Sequence, residues 1–370
     1  MSTAATNHSV ATSKPAAKPA AGGDDTVRDE SNVTAMVDEL SVALEAAIGE
    51  IHAVNSETKV LSLNARIEAA RAGTHGAAFG VVAEEMQTLS EKTEQIASVM
   101  ANRTREKTSD LMHLIDQTVR GTRLSDLALV NIDLVDRNLY ERTCDVRWWA
   151  TDGSLVDALT DPTPENTAFA SKRLGVILSA YTVYFDLVLC DAAGKIVANG
   201  RPSQYDNVGK SQASEPWFTQ AMASRSGDEY SFQSAHLSSL VLGQPALVYG
   251  AAVREGGESN GRPLGALGIV FNWPGLADPI MQHIPVSPSE QSSTRAYIIT
   301  PQGEVVASRG GESVGTRLNL PDLHRIAGSD KGFYVASFED QPWSIGHARA
   351  PGFETYSTGW HSIVMQPVSN

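Results

Sequence analysis

Cysteine is nearly absent from this chain, and the two present, Cys144 and Cys190, stand far apart in 370 residues. That spacing frames neither a disulfide scaffold nor a metal site, and both thiols are expected to be buried and reduced, as in a cytosolic protein. Long apolar runs are missing as well. The most apolar stretch, residues 174–190, contains Tyr181, Tyr184 and Asp186 and falls short of the roughly 20 residues that cross a bilayer. The N-terminal residues lack the hydrophobic centre of a secretory signal. Positive charge is in deficit: 29 Lys and Arg face 43 Asp and Glu, a net charge of −14. Nucleic acid and anionic membrane surfaces both require a basic face, so neither is an expected partner.

Catalytic signatures are lacking too. No Gly-x-Ser-x-Gly, no P-loop and no G-x-G-x-x-G after a strand occurs. His236, His283, His324, His347 and His361 are scattered without metal-ligand spacing, and in so acidic a chain no carboxylate pair stands out as an acid/base couple. No enzyme activity, cofactor or metal is expected.

What the sequence does carry is a heptad pattern folded back at one turn. Val37, Leu40, Leu44, Ala47, Ile51, Val54, Thr58, Leu61, Ala65 and Glu68 alternate at spacings of three and four. Phe79, Val82, Met86, Leu89, Thr93, Ile96 and Met100 continue the spacing on a second arm. Between the arms, Gly73 and Gly76 flank Thr74 and His75, and glycine supplies the positive φ of a tight reversal. These spacings predict two antiparallel helices meeting along that apolar seam, each with a flank left for a partner, most simply a second copy. The first helix is expected to begin near Ser31 to Thr34, after a disordered tail over 1–32. With a second seam that fails beyond Met100, each arm should be about 35 residues long.

Residues 60–86, VLSLNARIEAARAGTHGAAFGVVAEEM, resemble the signalling hairpin tip of methyl-accepting chemotaxis receptors. The match includes Thr58, Leu61, Leu63, Asn64, Ala65, Ile67, Glu68, Ala69, Ala70, Arg71, Gly73, Gly76, Phe79, Val81, Val82, Ala83, Glu85 and Leu89. A generic coiled coil would share the seam but not Asn64, Glu68 and Arg71. The resemblance implies that Leu61, Asn64, Glu68, Arg71, Gly73, Gly76, Phe79 and Glu85 meet a histidine kinase and its coupling protein. Departures stand at Ser56, Glu57, Lys59, Arg66, Ala77, Ala78 and Gln87, several of them on the surface that meets partners. Arms this short leave no room for the family's methylation sites.

Residues 122–150 read as a connecting helix ending at Trp148 and Trp149, and 151–165, with Asp-Gly, Asp-Pro and Thr-Pro, as a turn-rich boundary. From 166 the pattern changes. A short helix over 166–182 gives way to FDLVLCDAAGKIVANG, two β-rich runs around a turn ending at Gly194. A short helix, SEPWFTQAMAS, precedes the strands QPALVYGAAVRE and PLGALGIVFNW. RAYIITPQGEVVASR repeats the strand–turn–strand with Gly303 in the place of Gly194, and GFYVASFED, PWSIGHARA and WHSIVMQPV supply three more strands.

This element order resembles the double Cache sensor, a relative of the PAS fold, over 166–368, with units of about 166–280 and 290–368. The fold class is therefore α+β: an N-terminal coiled-coil hairpin (33–120), a connecting helix (121–165) and a two-unit antiparallel-sheet domain. By position in that fold, Tyr184, Trp217, Phe218, Tyr230, Tyr249 and Asn272 are the candidate ligand-binding residues. Amino-acid-binding members pair an arginine with this tryptophan and end on an aspartate. Here Ser214 and Glu215 precede Trp217, and Val270 to Asn272 replace the aspartate region, which disfavours an amino acid gripped by its carboxylate. The expected protein is a cytoplasmic chemoreceptor-like transducer, a homodimer or higher oligomer, coupling a small-molecule ligand to a kinase. The alternative is a dimerising scaffold without ligand or kinase control.

Overall fold

A computed structural model describes residues 24–368, with side chains described from 35 onward. The contacts divide the chain at Val119/Arg120 into a hairpin body and a sensor body. Helix α1, Asp24–Arg71, and helix α2, Ala77–Trp149, are joined by a 3₁₀ turn, Gly73–Gly76. The expected tail lies outside the described residues as far as position 23, whereas 24–32 are helical. Helix α1 begins earlier than the Ser31 signal, and its arm has 48 residues rather than about 35. Charges at Arg103, Lys107 and Asp110 do not end α2, because all three are exposed and Lys107 pairs with Asp110 at 2.8 Å.

The arms meet along only part of the expected seam. Their buried residues recur every seven: Ile48, Asn55, Ser62 and Ala69 on α1, and Gly76, Ala83, Ser90 and Ala97 at and beyond the turn. Small side chains let two helix backbones approach closely, and Asn55 Nδ2 donates to the Ser90 carbonyl at 2.9 Å while Ser90 Oγ donates to Asn55 Oδ1 at 2.8 Å. Of the expected seam, Leu40, Ile51, Val54, Leu61, Phe79, Val82, Leu89, Ile96 and Met100 are exposed, whereas Val37, Leu44, Thr58, Ala65, Met86 and Thr93 are half-buried. The 3.5-residue period holds, and most of its large apolar members lie on an outward face.

In the sensor body, α2 buries Leu124, Ala128, Ile132, Val135, Leu139 and Val146 on one stripe. Helix α3, Gly153–Thr160, occupies the expected boundary segment because Asp152 caps it, accepting from the Ser154 N–H at 2.9 Å. Helix α4 spans Pro164–Ala180. The first sheet comprises β1 (Tyr184–Asp191), β2 (Ile196–Asn199), β3 (Ser231–Ser238), β4 (Gln244–Arg254) and β5 (Pro263–Asn272), with α5 (Pro216–Met222) between β2 and β3. After α6 (Trp273–Gln282) come β6 (Arg295–Ile299), β7 (Val305–Ser308), α7 (Leu323–Ala327), β8 (Lys331–Phe338), β9 (Gln341–Arg349) and β10 (His361–Pro367). Strand order is β2-β1-β5-β4-β3 in one sheet and β7-β6-β10-β9-β8 in the other, the same antiparallel arrangement twice. One core covers a face of both sheets against α2, α3, α4 and α6, and each sheet's other face has a core of its own.

Candidate functional site

At the hairpin tip, Gly73 adopts φ +57°, and Gly76 packs so closely that a Cβ there would lie 2.2 Å from the Ala69 carbonyl oxygen. These two glycines shape the turn rather than present a side chain. The other tip candidates, Leu61, Asn64, Glu68, Arg71, Phe79 and Glu85, are exposed. Arg71 Nη1 meets Glu68 Oε1 at 2.8 Å, and Phe79 is 74% exposed. An apolar residue that exposed contributes nothing to the hairpin's own packing. A groove of about 570 Å³ along the outward face is lined by Ile51, Val54, Thr58 and Leu89 among others.

The six sensor candidates do not form one site. Trp217 and Phe218 on α5 pack edge to face, 5.8 Å apart, on the outer face of the first sheet with Tyr205, Val188, Val248 and Val270. The Trp217 indole lies on Gly250 and Gly268, where a Cβ would approach it to 2.8 Å, and its Nε1 donates to Gln212 Oε1 at 3.3 Å. Tyr184 and Tyr249 face the opposite way, toward α2, with Tyr230 packed against them. Strand alternation explains the split: Val188 and Cys190 point outward, Tyr184, Leu187 and Leu189 inward. Asn272 is a cap, its Oδ1 accepting from the Gly275 N–H at 3.0 Å at the start of α6.

The inward group belongs to a charged and aromatic cluster on α2. Tyr184 donates its hydroxyl hydrogen to Asp145, and Arg142, 5% exposed, stacks over the rings of Tyr184 and Phe271 and meets Asp145 at 3.3 Å. Burial raises the Asp145 carboxyl above its ordinary range against the pull of Tyr184 and Arg142. Tyr249 and Tyr356 share a hydroxyl–hydroxyl hydrogen bond of 2.7 Å, and burial pushes both phenols up. About two and a half turns before Asp145, the fully buried Asp136 accepts from Gly352 N at 3.0 Å and Thr358 Oγ1 at 2.8 Å, fastening the β9–β10 loop to α2. In the first sheet, Asp186 accepts from Asn199 Nδ2 at 2.8 Å and from the Gly200 and Arg201 N–H groups, and burial raises its carboxyl. These carboxylates were not singled out from the sequence. For Asp136 and Asp145 the available signal is a charge on the same three/four stripe as Val135, Leu139 and Val146.

Among the described residues no helix is long and apolar enough to cross a membrane. The family described as Cache domain matches residues 81–370, and the methyl-accepting chemotaxis protein signalling domain matches residues 10–127. The biofilm dispersion protein BdlA of Pseudomonas aeruginosa is 35% identical over 95 residues, 24% of this chain and 23% of that protein. The methyl-accepting chemotaxis protein CtpM of the same organism is 33% identical over 98 residues, 26% of this chain and 16% of that protein. The match therefore spans less than a quarter of the length of these curated relatives. The ligand-binding domain of the Campylobacter jejuni chemoreceptor Tlp3, solved with L-valine, aligns over 68% of this chain and 93% of its own, with a TM-score of 0.50 and 13% identity. At that identity the likeness is one of fold.

Proposed function

The chain belongs to the Cache-domain family and carries a methyl-accepting chemotaxis signalling segment, and from that premise we propose that it couples a small ligand, sensed within 120–368, to a chemotaxis-type histidine kinase and its coupling protein. The observation that carries this reading is the tip surface. Leu61, Asn64, Glu68, Arg71, Phe79 and Glu85 are exposed on a hairpin whose interior is already filled by small residues. The outward apolar face favours self-association into a dimer or higher oligomer, since water contact with so many large side chains is unfavourable. The proposed place of action is the cytoplasm, where the kinase would meet the tip. Signalling would be a shift between two packings of the hairpin, biased by differential ligand affinity.

The Tlp3 domain is solved with L-valine. Here Glu215 precedes Pro216 and Trp217 and accepts from Gln233 Nε2 at 3.1 Å, so a carboxylate stands beside the tryptophan. An α-amino acid gripped there by its own carboxylate is not proposed. The filled outer face of the first sheet favours one other reading, a dimerising scaffold. Capture of the coupling protein on immobilised full chain separates the two. Wild type should retain it and Glu68→Lys should not, whereas equal retention by both, or by neither, would leave the scaffold.

A further inference from the structure

We infer that a cleft on the outer face of the second sheet binds a short-chain organic carboxylate. The inference rests on the sensor reading and gives it a site and a ligand class. The cleft, of about 470 Å³, is bounded by the β6–β7 turn at 299–303, by Arg317, by α7 and by the start of β10 at His361.

Its lining is chemically asymmetric. Ile299, Leu323, Ile326 and Ala327 give an apolar wall, while Arg317, His324 and His361 are the basic groups, and no lining residue is acidic. In a chain of net charge −14 such a lining is unexpected. Arg317 is exposed, and no ion pair holds it among the described residues. Glu304 faces it across an isolated backbone bridge without pairing to its side chain. An unpaired guanidinium fork suits the two oxygens of a carboxylate, and the wall beneath suits a short hydrocarbon tail. Inorganic phosphate would satisfy the fork but leave the wall uncovered.

His361 completes the lining. It is 5% exposed, lines the cleft, and its Nδ1 has no hydrogen-bond partner among the described residues. That atom has no exposed surface as the ring stands, so the carboxylate is assigned to the exposed Arg317, with His361 as the polar wall beside it. Burial holds the imidazole below its ordinary pKa, assisted by Arg349 and opposed by Asp330. Neutral at pH 7, it can still donate one hydrogen bond.

Calorimetric titration of the full chain at pH 7 tests the site with butyrate, the isosteric uncharged butyramide and inorganic phosphate. Butyrate should bind saturably, butyramide and phosphate at least tenfold more weakly. Arg317→Ala, an exposed change that should leave the melting curve intact, should weaken butyrate at least tenfold, and Trp217→Phe should leave it unchanged. Undiminished binding in Arg317→Ala, or loss confined to Trp217→Phe, would overturn the site while leaving the sensor reading intact. Phosphate binding as tightly as butyrate would overturn the ligand class. If butyrate fails to bind at all, the inference falls, and a metabolite panel on the same protein then decides separately whether the sensor reading survives.

Discussion

Three glycines around the hairpin turn should respond differently to alanine, because each is glycine for a different reason. At Gly76 a Cβ would sit 2.2 Å from the Ala69 oxygen and 2.9 Å from the Ala72 Cβ. Carbon atoms settle at roughly 3.5–4.0 Å, so the turn and α1 would have to separate by about 1 Å. Overpacking of that kind costs about 1–3 kcal/mol. Gly73 has nothing within 4 Å but a φ of +57°, so alanine there costs only backbone strain, about 1 kcal/mol. Gly80 is helical, and its Cβ would meet the Ala69 Cβ at an ordinary 3.8 Å, so alanine should gain about 0.8–1.0 kcal/mol of helix propensity. Amide hydrogen exchange, read on peptides covering 60–86, reports local opening directly. Relative to wild type, Gly76→Ala should exchange about 5- to 150-fold faster. Gly73→Ala should be modestly faster and Gly80→Ala slower. Wild-type protection in Gly76→Ala, or a Gly80→Ala protein less protected than Gly76→Ala, would refute the packing described for the turn.

Arg142→Ala strands Asp145 in a buried setting and removes the cation stacked on Tyr184, so urea unfolding followed by tryptophan fluorescence should show a loss of about 3 kcal/mol or more. His347, 3% exposed, is held by burial at a pKa of about 4 against 6.5 when unfolded. The unfolded chain therefore binds the extra proton between those values, and stability should fall as pH drops from 6.5 through 4, by up to about 3 kcal/mol. Asp136, Asp145 and Asp186, whose carboxyls burial raises, pull the other way on acidification. The difference between wild type and His347→Gln across that window isolates the histidine, and identical pH profiles would contradict its assignment. Leu61→Glu with Val82→Glu places charge on the outward face at positions 60% and 58% exposed. Light scattering should then show a smaller species than wild type with unchanged helicity, and an unchanged oligomer would move the interface elsewhere.

The order of most strands along the chain is legible in the sequence because both repeats carry the same signal, an apolar run, a turn ending in glycine and a second run. Gly194 and Gly303 take φ of +81° and +84° as that repetition requires. β3 escaped notice because SFQSAHLS is an edge strand with mostly half-buried side chains and no apolar alternation. The hairpin seam was partly misplaced for a physical reason. Hydrophobicity marks the surface that seeks a partner, while these two arms close on Ala83, Ser90, Ala97 and Gly76, residues chosen for size. The aromatic site failed through parity. Element order locates a strand but not which of its residues face α5, so Tyr184 and Trp217 were grouped although they lie on opposite faces of one sheet.

Control of a kinase by the hairpin tip is tested by phosphate incorporation into a chemotaxis histidine kinase with its coupling protein, with and without the full chain. The rate should change when wild type is added and return to that of kinase plus coupling protein alone when Glu68→Lys or Phe79→Ala is added instead. The same rate with wild type, with either variant and with no added chain would contradict such control.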